Sequence, residues 1–232
     1  MKTVLFDLDG TLLPMDQDNF LKAYFGGLAT KLVPFGYEPD RLIKAIWSGT
    51  AAMVKNDGSM TNEARFWQSF CAMFGEDARS DEPIFDDFYH NEFRFVAVSC
   101  GKTERAPQII SWLKQQGCRV VLATNPLFPA IATHSRVRWA GLEPEDFAYI
   151  TTYENSSRCK PNPDYYREIL DKLGLQTEEC VMVGNDAQED GAAAALGLPV
   201  FLLTDCLIDR SGEVEKFPHG GVKQLLEWLE AR

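Results

Sequence analysis

No two of the six cysteines (Cys71, Cys100, Cys118, Cys159, Cys180 and Cys206) stand in a C-x-x-C pair. Zinc sites and redox motifs therefore fail on spacing, and buried, reduced thiols are expected. No apolar run approaches the ~18–20 residues of a membrane span. Basic charge is short as well: Lys and Arg number 23 against 34 Asp and Glu, a net charge of −11. Phosphate backbones and anionic membranes are bound through clustered Lys and Arg, so neither nucleic acid nor a membrane surface is an expected partner. The first residues carry one basic side chain, Lys2, and a short run from Val4 to Phe6 that meets Asp7, which is not a signal-peptide pattern. A cytoplasmic protein is expected. What is present is ordinary for a globular chain: 232 residues, 45% hydrophobic and 25% charged, enough for one large domain or a medium one with a smaller companion.

The hydrophobic pattern changes period twice. Thr3 to Phe6 is short, apolar and partly β-branched, followed by Asp-Gly-Thr, and reads as a strand. From about residue 16 to about 100 the period is helical. Leu21, Tyr24, Phe25 and Leu28 form one stripe; Leu42, Ile43, Ile46 and Trp47 another; Phe66, Trp67, Phe70 and Phe74 a third, with Thr61 as its N-cap. Ile84, Phe85 and Phe88 begin a fourth. After residue 100, strand and helix alternate. Strands are expected at 119–124, 147–151, 180–184 and 199–203. Helices are expected around Ile109–Leu113, over 131–139 and 166–173, in an alanine-rich stretch to Gly197, and around Leu225–Leu229. Continuous apolar strands alternating with helices predict an α/β fold, a doubly wound parallel Rossmann-like sheet. The expected division is a core of residues 1–15 and 101–232 with a helical insertion over 16–100.

In such a sheet, ligands bind at the carboxyl ends of the strands. The first strand runs into Asp7-Leu8-Asp9-Gly10-Thr11, the second ends in Thr124-Asn125, and the apolar strand at 180–184 ends in Asn185-Asp186, with Asp190 four residues on. Lys160 precedes Pro161-Asn162-Pro163, just before a helix. One end of the sheet thus collects Asp7, Asp9, Asp186, Asp190, Thr124 and Lys160. Carboxylates this close repel unless a cation joins them. Oxygen ligands without His or Cys suit Mg²⁺, which is usually shared with a substrate phosphate. An Asp nucleophile with electrostatic clamps on a transferring phosphoryl group is the chemistry such a set performs.

These four motifs, in this order and strand context, resemble the haloacid dehalogenase (HAD) superfamily, and the helical insertion sits where that family's C1-type cap lies. The resemblance covers about residues 1–15 and 101–232. It implies a Mg²⁺-dependent phosphoric monoester hydrolase acting on a small phosphorylated metabolite. By the same resemblance, Asp7 is the nucleophile that becomes an aspartyl-phosphate. Asp9 protonates the leaving oxygen, activates the hydrolytic water and offers its backbone carbonyl to the metal. Thr124 and the amide of Asn125 hold phosphate oxygens, and Lys160 neutralises nucleophile and phosphate. Asp7 and Asp186 ligate Mg²⁺, and Asp190 orients Lys160 or a metal-bound water. Asn185 departs from the Asp that many members carry there. Family dehalogenases lack the second Asp, so Asp9 points to phosphoryl chemistry.

Two other readings stand beside the phosphatase. A sugar phosphomutase would reuse the same intermediate with a hydroxyl acceptor. A phosphoacceptor signalling domain combines similar residues, but there the acidic pair comes first and the phosphorylated Asp later. An insertion of ~85 residues is longer than ordinary connections and is expected to be a substrate lid. It offers Lys22, Arg41, Lys44, Arg65 and Arg94 to an anionic substrate, although most are expected on solvated helix faces, and Phe20, Trp47 and Trp67 to an apolar one, although core packing is their more expected role.

Overall fold

The computed structural model describes residues 2–210 and 212–232. Its strands are β1 (Thr3–Phe6), β2 (Arg119–Leu122), β3 (Tyr149–Ile150), β4 (Cys180–Gly184), β5 (Val200–Leu203) and β6 (His219–Gly220). They form one sheet in the order β3-β2-β1-β4-β5-β6, with every pairing parallel. The helices are α1 (Gln17–Leu32), α2 (Pro39–Val54), α3 (Asn62–Phe74), α4 (Glu82–His90), α5 (Arg105–Gln115), α6 (Ala130–Trp139), α7 (Pro163–Leu173) and α8 (Val222–Glu230). Among the described residues, no helix is long and apolar enough to cross a membrane, and all six cysteines are unpaired.

The sheet is a doubly wound α/β core because its central strands are apolar on both faces. Along β1, Val4 and Phe6 join the cluster beneath α5 and α8, with Ile109, Leu113, Leu225 and Leu229. Leu5 points the other way, into the cluster of Tyr166, Ile169, Met182 and Leu202. Each such side chain removed from water stabilises the fold by about 1.5–3 kcal/mol. Parallel pairing puts Phe6 level with Leu122 and Val183. The residues that follow these three positions therefore emerge together at one end of the sheet. Strand order reverses between β1 and β4, and a crevice opens at that switch point.

The expected helical block is present as α1 to α4, packed on one another and against Ala132 and Cys159. Helix α1 starts on Asp16, whose carboxylate accepts the amide of Asn19, and α3 starts on Thr61, whose hydroxyl accepts the amide of Ala64. The stripes on α1 to α4 pack into a second aromatic cluster, with Phe20, Tyr24, Trp67, Phe70, Phe85 and Phe88 buried in it. The chain leaves the core and returns to it side by side: Met15 bridges Cys100 antiparallel, and the Gly101 amide donates to the Pro14 carbonyl at 2.7 Å.

Two expectations differ from the structure. The alanine-rich stretch is not an α-helix but a six-residue 3-10 helix, Gly191–Leu196. Its start is pinned: a Cβ on Gly191 would lie 2.7 Å from the Phe217 ring, and the preceding Asp190 is tied to its neighbours by its side chain. The strand expected over 147–151 is reduced to two residues, and the equally short β6 carries no apolar run by which to recognise it.

Candidate active site

Asp7 follows β1, with its amide donating to the Val183 carbonyl at 2.9 Å. Its side chain is almost wholly buried. Oδ1 accepts from Lys160 Nζ at 2.8 Å, and Oδ2 lies 3.2 Å from the Thr11 hydroxyl. Thr11 also reaches Asn185 Oδ1 at 2.9 Å, tying the β1 turn to the β4 turn. That closeness requires Gly10: its φ is +87°, and a Cβ there would meet Asn185 Nδ2 at 2.3 Å.

Lys160 and Asp190 form the buried side of the crevice. Lys160 Nζ donates to Asp190 Oδ1 at 2.7 Å, and both side chains are 1% exposed. The other oxygen of Asp190 accepts the amides of Asn185 and Asp186, each at 2.9 Å. Asp190 thus fixes the lysine and the β4 turn together, and Gly184 makes room, since a Cβ there would stand 2.0 Å from Asp190 Oδ2. Thr124 is buried and lines the cavity; its carbonyl accepts the hydroxyls of Thr151 and Tyr165 at 2.7 and 2.8 Å. Asn125 accepts the Lys160 amide at 3.2 Å and donates to Glu189 at 3.0 Å. Asp186 Oδ1 accepts the amides of Gln188 and Glu189, each at 2.9 Å, and Oδ2 accepts from Arg210 at 2.7 Å.

Asp9 projects from the same turn. Arg136, itself 1% exposed, donates to Asp9 Oδ2, while Asp9 Oδ1 is buried with no hydrogen-bond partner. The Arg136 guanidinium stacks 4.5 Å from the centre of the Phe128 ring. Sequence reasoning missed Arg136, Arg210, Thr11 and Glu189. Arg136 did leave a signal, a charged residue on the buried stripe of α6 between Ala132 and Val137. Arg210 and Glu189 stand in irregular segments, and Thr11 reads only as part of a turn.

Electrostatics follow from this crowding. Burial pushes the Asp7 carboxyl up; Lys160 pulls it back, Asp190 and Asp9 push further, and the result is about 7. Burial works against the Lys160 ammonium, but Asp190 and Asp7 outweigh it and hold its pKa well above that of an ordinary lysine. The carboxylates at this end exceed what Lys160 neutralises.

The residues present suit a hard divalent cation. Asp7 and Asp186 bring carboxylate oxygens to the same cavity, and the guanidinium on Asp186 occupies one oxygen as a cation would. Among the described residues, no three His, Cys, Asp or Glu side chains converge as a metal-binding group by themselves. Backbone and substrate oxygens would have to complete a coordination shell.

The Asp7 shift has a consequence for stability without metal. An unfolded Asp releases its proton near pH 4, whereas Asp7 in the folded chain holds its proton to about 7. Between these values the folded state binds the extra proton, so the Asp7 contribution to stability falls as pH rises and is lost above about 7. Asp7→Asn is expected to gain about 2–3 kcal/mol relative to the parent between pH 5 and pH 8 in chelator. Parallel pH profiles in denaturant titrations would refute the shift.

Asp7, Asp9, Thr124, Asp186, Asp190 and Arg210 line one cavity of about 310 Å³, with residues of α1 to α4 opposite them; Lys160, Arg136 and Thr11 stand behind its wall. Phe20, Trp47 and Trp67 line its roof, and Phe20 and Trp67 also pack in the aromatic cluster, as expected of them. Lys22, Arg41, Lys44, Arg65 and Arg94 do not line it; Lys22 instead borders an outer hollow with Asn19 and Val98.

A parallel sheet with an inserted helical cap and a carboxylate cluster at its switch point defines a capped Rossmann-like α/β protein. The family model of haloacid dehalogenase-like hydrolases matches residues 1–197, and the chain belongs to that family. A phosphoglycolate phosphatase of Xanthomonas campestris pv. campestris is 25% identical over 199 residues, covering 85% of this chain and 80% of its own. Among solved structures, a HAD phosphatase from Thermococcus onnurineus shares the fold with a TM-score of 0.61 at 18% identity, covering 99% of this chain and 98% of its own. The HAD-hydrolase YfnB from Bacillus subtilis, solved bound to magnesium, gives 0.57 at 18% identity, with 99% and 98% covered.

Proposed function

We propose that the protein is a cytoplasmic, Mg²⁺-dependent phosphatase that moves the phosphoryl group of a small phosphorylated metabolite onto Asp7 and then to water. The observation that carries this reading is the placement of Asp7. It is buried yet lines the cavity, with one oxygen on Lys160 and the other near the Thr11 hydroxyl, and Asp9 stands in the same turn.

Asp7 attacks phosphorus with the oxygen not taken by Lys160, and the ester oxygen leaves with the electron pair of the P–O bond. Lys160 offsets the charge that Asp7 and the phosphoryl group bring together, and Asp190 keeps that ammonium in place. Asp9, which lines the cavity beside Asp7, hands a proton to the leaving oxygen, then takes one from the water that attacks the aspartyl-phosphate. The Thr124 hydroxyl and the Asn125 amide hold the other phosphate oxygens. Mg²⁺, held by Asp7, Asp186 and the Asp9 carbonyl, would supply charge stabilisation of the phosphoryl oxygens. Residues 16–100 act as the lid that limits water during the first step. A mutase reading is disfavoured by the roof: a bisphosphate needs a second anion site, and among the described residues no basic side chain of residues 17–99 lines the cavity.

The test is phosphate release from a panel of phosphorylated metabolites before chelation, in excess chelator, and after Mg²⁺ is restored. Activity should vanish and return, and Mg²⁺ should raise the melting temperature by mass action. Full turnover in chelator would overturn the metal requirement.

A further inference from the structure

The cavity has two chemically unlike ends. At its floor are the carboxylates, with Lys160 behind Asp7 and Arg210 bonded to Asp186 at 2.7 Å. The roof is aromatic and aliphatic, built from Phe20, Phe25, Ile46, Trp47, Phe66 and Phe85. Its uncharged polar groups are few: Tyr24 and Tyr89 bond each other at 2.8 Å, Thr50 donates to the Ile46 carbonyl at 2.9 Å, and the Gln17 amide and the buried, unpartnered Trp67 Nε1 complete the set.

The charges on this roof are negative. Glu82 and the exposed Asp86, both on α4, line the cavity. The nearby Arg79 does not; it stacks 4.7 Å from the Trp67 ring and is paired with Glu63 and Glu82 at 3.1 and 2.9 Å. Arg210 is the one basic residue lining the cavity among the described residues, and Asp186 keeps it at the floor.

Trp47 stands at the rim, 47% exposed and 5.5 Å from Phe25 between ring centres, an apolar surface that a bound group would cover. The space of about 310 Å³ lies at the small end of ligand pockets, room for a phosphoryl group and a leaving group about one ring in size.

Taking the phosphatase reading as its basis, we infer that the substrates are phosphate monoesters of apolar, ring-sized alcohols, and that esters whose alcohol carries an anionic group are rejected. Negative charge on the leaving group would leave water for an apolar wall with no cation to meet it and carboxylates nearby. An apolar ring would instead bury its own surface against the aromatic roof.

The experiment uses the full chain with Mg²⁺ and two aryl esters, phenyl phosphate and 3-carboxyphenyl phosphate, whose phenols are of similar acidity and so leave with similar ease. The expected result is a kcat/KM for the phenyl ester higher on the order of 100-fold. In Asp86→Lys, an exposed substitution on the roof, that ratio is expected to fall by about tenfold through a gain on the carboxylated ester. Trp47→Arg, at the rim, should move the ratio the same way. Equal kcat/KM for the two esters, or a ratio that neither substitution moves, overturns the inference. Failure to hydrolyse any monoester would instead sink the phosphatase reading beneath it.

Discussion

Asp7→Asn is expected to cut turnover by ~10³-fold or more while leaving the protein folded. The amide keeps an oxygen for Lys160, so the buried ammonium is not abandoned, and it removes the charge that burial penalises most. What it lacks is an anionic oxygen to attack phosphorus, and no other carboxylate takes that place. Asp9 is committed through one oxygen to Arg136, Asp190 accepts two amides and the lysine, and Asp186 accepts two amides and Arg210. The phosphoryl group trapped on the parent chain by acid quench should be absent from the variant by mass spectrometry. Turnover within about tenfold of the parent, on a folded variant, would remove Asp7 from the nucleophile position.

How much of this was legible beforehand depended on local pattern. Both switches of period were visible, because buried strands read as apolar runs and the aromatic stripes recur at helical spacing. Asp7, Thr124 and Asp186 could be brought together from sequence because parallel strands in register end at one level, so residues just beyond a run share an edge. Partners supplied from elsewhere in the fold were not legible. Arg210 sits in a loop without periodicity, and Arg136 meets Asp9 across 127 residues. The character of the roof was only half visible. Its aromatics could be named, but which helix faces turned inward decided that the five basic candidates line no part of the cavity.

The largest expected effect on stability is at Lys160. Replacing it with Met keeps an unbranched side chain in a fully buried slot but leaves Asp7 and Asp190 facing each other without their shared cation. Removing one partner of a buried ionic network costs about 3–5 kcal/mol, because the charges left behind are neither solvated nor paired. For a chain of this size that lowers the melting temperature on the order of 10 °C. The loss should be smaller at pH 5 than at pH 8, since Asp7, whose carboxyl burial already pushes up to about 7, is then protonated and leaves less charge stranded. Lys160→Met combined with Asp190→Asn separates folding from chemistry. The double variant removes one of the two stranded charges, and an Asn carbonyl oxygen still accepts the amides of Asn185 and Asp186, so much of the stability should return. Activity should not return, because nothing then offsets the charge of Asp7 and the incoming phosphoryl group. If the double variant regained both stability and turnover, Lys160 would be a structural counter-ion alone, and its part in phosphoryl transfer would have to be given up.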